Sequence, residues 1–521
     1  MTSGCDNHQG VSTGRRAFSG VVWSLTERGS TQLLGFVVTV VMARLLTPAD
    51  YGLIGMLLIF IQIGEALASG GMTQALVARG IERSNDRKRA SIFNFSAGAL
   101  IYLVLWFAAP AVAYFYNEPR LIGLTRIVGI TVPLQAGACL PEAILMSQLA
   151  YRRRAIASVL SLIISGSTGI VCSAIGLGVW SIAIYMVTQA LSMLVLLYFA
   201  AKKAMPADKS DGSNASDIQR YRENGRNIQV LSDARPQKSL FKYGLNLIGA
   251  RLADVAYINS YLIIIGRLMP VGDVGLFTRA RQFASVPSIS MSEVVRRVSY
   301  PILCKCGEDE GHRIEYFKRM TGMTMCVAFP IMLALAVMSG PIVAVVLGDK
   351  WLETGPLLAW LCLGMIWTPF DGLNLTLILA SDNPSGLMKI EIVRKVIGLA
   401  VLLISFRFGL KGICIGFAIS SFISMSVTAA YALKKVSNVW DILLKSVTLP
   451  LLAASLASIA GLGAAHYADT DILKLLVCIA AIIILYPLIL RALGIRDLHL
   501  IITKIKEFTK RKPSPDNIRI Q

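Results

Sequence analysis

Apolar runs long enough to cross a hydrocarbon core of about 30 Å recur along almost the whole chain, and that pattern leaves few folds open. Inside lipid every backbone N–H and C=O must find a partner within the protein, so only helices and closed barrels can span. The runs are continuous, whereas barrel strands would alternate apolar and polar residues, so helices are expected. Fourteen spans are predicted, at about 18–43, 51–72, 92–116, 121–146, 155–176, 179–201, 240–266, 273–300, 321–347, 354–380, 387–406, 412–433, 440–465 and 471–491. The 55% hydrophobic content of the 521 residues agrees, being far more apolar surface than a soluble core of this length needs. The expected class is an all-α polytopic membrane protein.

The chain also repeats itself. Arg44 to Leu53 reads RLLTPADYGL, and 223 residues later Arg267 to Leu276 reads RLMPVGDVGL, each after a long apolar segment. The same ungapped offset places Phe18 on Phe241, Arg28 on Arg251 and Phe60 on Phe283. Two parallel six-helix bundles follow, because an even number of spans gives both halves one orientation, and parallel repeats usually surround a substrate path. The expected organisation is a first bundle at 1–201, a polar cytoplasmic linker at 202–238, a second bundle at 239–435, an additional helix pair at 436–494 and a cytoplasmic amphipathic tail at 495–521.

A net charge of +20 raises the question of nucleic acid, and its distribution answers it. With both termini cytoplasmic, the inner loops and tails hold 31 of the 51 Lys and Arg, and the outer loops only 6. Such asymmetry is what the positive-inside rule predicts, so no nucleic-acid partner is needed. No cleavable signal peptide is expected ahead of the first span, since the opening residues are polar and end in Arg15 and Arg16. The nine Cys are scattered and the four His lie far apart, so neither a disulfide framework nor a metal site is expected. No Gly-rich phosphate loop is present, which argues against ATP hydrolysis, and the outer loops are too short to hold the catalytic acids of an intramembrane enzyme.

The repeated motif has a structural explanation. Arg44 and Arg267 sit where a helix meets the interface, and Asp50 and Asp273 are placed to N-cap the next helix. A turn-and-cap role explains the motif more simply than substrate contact does.

The chemistry is expected on the polar helices. The first carries a stripe of Ser24, Glu27, Arg28, Thr31, Gly35 and Thr39, so one of its faces meets water or protein. An Arg near the bilayer centre costs about 3 kcal/mol, and such a helix must supply a partner or a hydrated cavity. Arg28 and Arg251 are repeat mates; two guanidiniums facing one space call for an anion, and planar forks suit phosphate oxygens. Arg279 and Arg281 add to this candidate substrate-binding set. Glu27, Glu65 and Asp254 are candidate ion-coupling acids for a proton or sodium ion, with Glu142, Asp371 and Glu391 beside Arg394 as further intramembrane groups. A local Arg251–Asp254 ion pair at i,i+3 explains those two residues equally well.

The string ARLLTPADYGLIGM, Ala43 to Met56, after a helix with a polar stripe, resembles the start of bacterial polysaccharide-exporting flippases. These form the Wzx-like polysaccharide transporter branch of the multidrug/oligosaccharidyl-lipid/polysaccharide exporter superfamily. The resemblance implies a V-shaped pair of six-helix bundles in the bacterial inner membrane, working by alternating access and without a cofactor. The implied cargo is an undecaprenyl-pyrophosphate-linked oligosaccharide destined for surface polysaccharide, with a glycan polymerase and chain-length regulator as partners. The pyrophosphate contacts it implies fall by position on Arg28 and Arg251, then on Arg279 and Arg281. A small-molecule antiporter of the same superfamily and a non-transporting scaffold of a glycan assembly complex are the alternatives.

Overall fold

Helices make up every element among the residues that the computed structural model describes, which are 7–69, 84–148, 150–204, 237–305, 310–380, 384–434 and 443–494. Nearly all of the expected linker and the whole expected amphipathic tail lie outside these residues.

The chain divides into two compact units, Met1–Leu46 with Leu53–Asn259, and Thr47–Gly52 with Ser260–Gln521. The first unit contains α1 (Asn7–Leu45), most of α2 (Pro48–Ser69), α3 (Ser84–Tyr116), α4 (Leu121–Val128), α5 (Thr131–Ser147), α6 (Tyr151–Ala174), α7 (Val179–Ala204) and the opening part of α8 (Gln237–Leu268). Helix α6 packs along both α1 and α7, and α5 along α3 and α7. Small residues set the α1–α6 seam. A Cβ added at Gly166 would meet Val38 Cγ2 at 2.5 Å, and one at Gly169 would meet Met42 Sδ at 3.1 Å. Between membrane helices association rests on such close packing, because lipid tails offer no competing hydrophobic drive. This seam holds the polar stripe of α1 beside the opening turns of α6.

The second unit contains the end of α8, then α9 (Val271–Lys305), α10 (Glu310–Val337), α11 (Ser339–Val346), α12 (Thr354–Met365), α13 (Thr368–Ala380), α14 (Pro384–Ser405), α15 (Gly409–Ala432), α16 (Leu449–Ala465) and α17 (Asp471–Ala492). Here α9 packs on α12 and α13, α15 on α12 and α14, and α16 on α10 and α17. Trp351, Phe277, Phe329 and Phe370 are buried in its core.

Three spans predicted as continuous are interrupted. The stretch 121–146 breaks between α4 and α5, 321–347 between α10 and α11, and 354–380 between α12 and α13. A proline lies at or near the start of each following helix, at Pro133, Pro341 and Pro369, and removes the N–H that would bond four residues back. For Pro369 that acceptor is Met365, whose carbonyl takes a 2.6 Å hydrogen bond from the Ser288 hydroxyl instead.

Ten stretches of the described residues are long and apolar enough to cross a membrane, and one of them, 386–432, holds both α14 and α15. Helices α1, α8 and α9 are not among the ten. They are the helices on which the sequence places Glu27 and Arg28, Asp254, and Arg279 and Arg281.

The repeated motif forms one structure inside the second unit. The 223-residue offset carries Pro48 to Val271 and Gly52 to Gly275, and these four positions meet reciprocally. A Cβ at Gly52 would overlap the Val271 carbonyl oxygen, and one at Gly275 the Pro48 carbonyl oxygen. The capping expectation needs correction at its first site. Thr47 is the N-cap; its backbone N–H and hydroxyl donate to Asp50 Oδ2 at 2.9 and 2.7 Å, so Asp50 is the third helical residue of a capping box. Pro48 fills the first helical position, where no N–H is missed. Asp273 holds the same third position in α9, but Pro270 stands where Thr47 would be and offers no hydroxyl.

Candidate functional site

Glu27 on α1 is 7% exposed, and its partners come from α6. The Ser158 hydroxyl donates to Glu27 Oε1 at 2.8 Å, and Arg154 Nη1 stands 3.4 Å from Oε2. The same guanidinium reaches Glu142 on α5, through Nε at 3.1 Å and Nη2 at 3.0 Å. Arg154 lies in the first turn of α6, where the helix dipole disfavours a cation, and two carboxylates offset that cost. Three helices are thereby tied by one guanidinium.

This network borders a cavity of about 870 Å³ within the first unit. Glu27, Thr31 and Gly35 of the α1 stripe line it, as do Gln62 and Glu65 of α2, Gln135 and Glu142 of α5, and Gln189 of α7. Its polar groups are held in place. Gln135 Nε2 donates to Glu65 Oε1 at 2.6 Å, Asn259 Nδ2 to Gln62 Oε1 at 2.8 Å, and the Ser165 hydroxyl to Gln189 Oε1. Between them lie apolar walls that include Val132, Leu162 and Met186. Such a space offers carboxylate acceptors, amide donors and hydroxyls to a polar guest.

The expected site residues fall in different places. Glu27 and Glu65 line the cavity. Arg28 is exposed and is not among the lining residues, being turned about 100° from Glu27. Asp254 is exposed on α8, and the Arg251 side chain lies outside the described residues. Arg279 is 7% exposed in the second unit, with its guanidinium 3.6 Å from the Tyr51 ring centroid and Nη1 donating to Gln282 Oε1. Arg281 on the same helix is half-buried.

Sequence reasoning missed Arg154, assigning it to an inner loop because it closes the Arg152–Arg154 run that the positive-inside rule absorbs. Its signal was position: Glu142 and Arg154 flank one short turn, and Ser158 follows four residues later on the same face. The second unit holds a comparable network, in which Arg394 Nη2 is 2.5 Å from Asp371 Oδ2 and Nη1 is 3.1 Å from Glu391 Oε1. Among the described residues, no group of His, Cys, Asp and Glu is arranged to hold a metal ion.

The profile of a family described as polysaccharide biosynthesis proteins matches residues 41–221 and 225–356. The succinoglycan biosynthesis transport protein ExoT of Rhizobium meliloti (strain 1021) is 24% identical over 350 residues, covering 67% of this chain and 66% of that protein. The lipopolysaccharide biosynthesis protein WzxC of Escherichia coli (strain K12) is 22% identical over 358 residues, covering 68% and 67%. Among solved structures, the lipid II flippase MurJ in an inward closed conformation superposes with a TM-score of 0.66 at 15% identity, over 91% of this chain and 99% of that one. At that identity the likeness concerns the fold alone. The chain spans just under two thirds of the succinoglycan protein's length.

Proposed function

The chain belongs to the polysaccharide biosynthesis protein family, and from that premise we propose that it is a flippase for a polyprenyl-pyrophosphate-linked oligosaccharide, moving the sugar headgroup from the cytoplasmic to the periplasmic leaflet. In this reading it is a multi-pass membrane transporter rather than an enzyme; the succinoglycan relative is named a transport protein, and ten stretches of the described residues are long and apolar enough to cross a membrane. The resemblance seen at Ala43–Met56 agrees with this family.

One observation carries the proposal. A membrane bundle keeps about 870 Å³ lined by carboxylates, amides and hydroxyls, where packing alone would favour apolar side chains filling the space. A polar headgroup that cannot enter hydrocarbon gives that space a use, because the lining replaces the hydrogen bonds lost with water. The lipid tail stays in the bilayer, and alternating access exposes the polar space to each side in turn.

In this reading Arg28 and Arg251 contact the pyrophosphate, as bidentate donors to its oxygens. Arg279 and Arg281 stay in the proposed set as cations of the second unit, with Arg279 stacked on Tyr51 in the conformation described here. Glu27, Glu65 and Asp254 are the proposed coupling acids for a proton or sodium gradient. The proposed location is the bacterial inner membrane with both termini cytoplasmic, and the proposed partners are a glycan polymerase and a chain-length regulator.

Arg28→Ala and Arg251→Ala are each expected to abolish surface glycan while the protein remains in the membrane, read by glycan staining against a membrane immunoblot. Normal glycan in the double variant would remove this assignment. The three Glu among the described lining residues favour a second reading, a small-molecule antiporter. That reading requires proton-driven efflux of cationic dyes, which the flippase reading does not.

A further inference from the structure

We propose that Arg126 is the centre of a binding site for the phosphate of an anionic glycerophospholipid, on the lipid-facing side of the first unit and apart from its polar cavity. Arg126 stands in the last turn of α4, within the membrane-spanning stretch Leu121–Ser147, and does not line the cavity. Its level in the bilayer follows from its neighbours. A Cβ at Gly123, one turn earlier, would meet the ring of Trp180 at 2.9 Å, and Trp180 belongs to the first turn of α7. Trp and Tyr collect where lipid headgroups meet hydrocarbon.

The guanidinium is held by α3. The Tyr102 hydroxyl donates to the Arg126 backbone carbonyl at 3.1 Å, which ties α4 to α3 at this point. One turn along the same face of α3, the Trp106 ring takes the guanidinium at 4.7 Å from its centroid. Tyr102 and Trp106 meet edge to face at 6.0 Å, so each ring steadies the other.

What the site lacks is an anion. Among the described residues Arg126 makes no ion pair, and its Nε is buried without a hydrogen-bond partner. Side chains are described throughout α4, α5 and α7 and along α3 from Ser91, and the acid they include, Glu142, is held by Arg154. Glu118, on the turn before α4, is held by Arg120 at 3.1 Å. An aromatic ring offsets part of the cost of a cation at the edge of hydrocarbon, but it brings no charge. A phosphodiester supplies one negative charge and two acceptor oxygens, which suit the two Nη groups of a guanidinium. A zwitterionic lipid carries its own ammonium to compete for that phosphate, so an anionic lipid is favoured. Leu100, Leu103 and Phe107 form an exposed ridge of α3 at helical spacing beside Trp106, and acyl chains can lie along it.

The inference goes beyond the flippase reading and stands whatever the cargo, because its test reads lipid contact and not transport. Full-length protein with Phe107→p-benzoylphenylalanine, at a position 73% exposed, is reconstituted into vesicles of four parts phosphatidylcholine to one part phosphatidylglycerol, with a trace of polyprenyl phosphate. Irradiation joins the probe to the lipid beside it, and mass spectrometry identifies that lipid. Phosphatidylglycerol is expected among the adducts at least three-fold above its share of the vesicle. The same probe at Ile479, an exposed residue of α17, is expected to return the vesicle composition. Arg126→Gln should bring position 107 down to that composition, and Arg126→Lys should keep part of the enrichment. Equal adduct ratios at the two positions, enrichment that survives Arg126→Gln, or polyprenyl phosphate as the main adduct would each overturn the site. Should Arg126→Gln fail to fold, the comparison of positions 107 and 479 together with Arg126→Lys still decides.

Discussion

Arg154 answers two carboxylates with one guanidinium, and its removal leaves both without their cation. Breaking a fully buried pair by deleting one partner costs about 3–5 kcal/mol; with Arg154 and Glu142 partly exposed, at 27% and 29%, about 2 kcal/mol is the better figure. Arg154→Ala is therefore expected to lower the melting temperature in detergent. Adding Glu27→Gln and Glu142→Gln should restore much of it, since neutral amides no longer need the cation. A melting curve unchanged by Arg154→Ala would show that water already satisfies the carboxylates. At this scale the sequence was half legible. Glu27 stood out because a charge within a predicted span needs an explanation, and the α1 stripe carried it into the cavity with Thr31 and Gly35. Its partner did not, because Arg154 reads as one more inner-loop cation until the α1–α6 seam brings it across 127 residues of sequence. Gln135 was invisible for the same reason: an uncharged amide draws no attention until Glu65 is beside it.

Helix ends and breaks give sharper tests at the level of elements. Thr47→Ala removes the cap of α2 and is expected to cost about 1 kcal/mol. Gly275→Ala should cost more, about 2–3 kcal/mol, because the obstacle is the Pro48 carbonyl, and backbone held by a capped helix cannot step aside. If thermal denaturation ranks the two the other way, the reciprocal glycine contact is not what holds this turn. The α12–α13 break allows a cycle. Ser288→Ala strands the Met365 carbonyl and is expected to cost about 1–2 kcal/mol, whereas with Pro369→Ala present the restored N–H can serve that carbonyl and the loss should shrink. Additive costs would contradict the assignment. Hydropathy found these elements but not their interruptions, since Pro133, Pro341 and Pro369 sit inside runs whose apolar character never falters. Capping was misassigned by three residues, as an Asp is the more familiar cap and Thr47 sits one step before a proline.

Over the whole molecule, the polar helices α1, α8 and α9 set this chain apart from an ordinary membrane bundle. The sequence made their charge visible, and the repeat register it proposed is the one in which Gly52 and Gly275 meet. What the sequence did not reveal is which side chains of each helix face the cavity. Among the described residues that line the first-unit cavity are Glu27, Glu65 and Glu142, the first two of which the sequence offered as ion-coupling acids. Facing direction depends on which neighbour packs against which side, and a single helix pattern leaves that open. The account nevertheless gives one transport prediction for the intact protein. Reconstituted into liposomes whose polyprenyl-pyrophosphate disaccharide is fluorescently labelled on the sugar, it should carry the headgroup between leaflets, so that a membrane-impermeant quencher added outside extinguishes nearly all of the signal. Quenching that stops at the outer-leaflet half, as in protein-free liposomes, would contradict it.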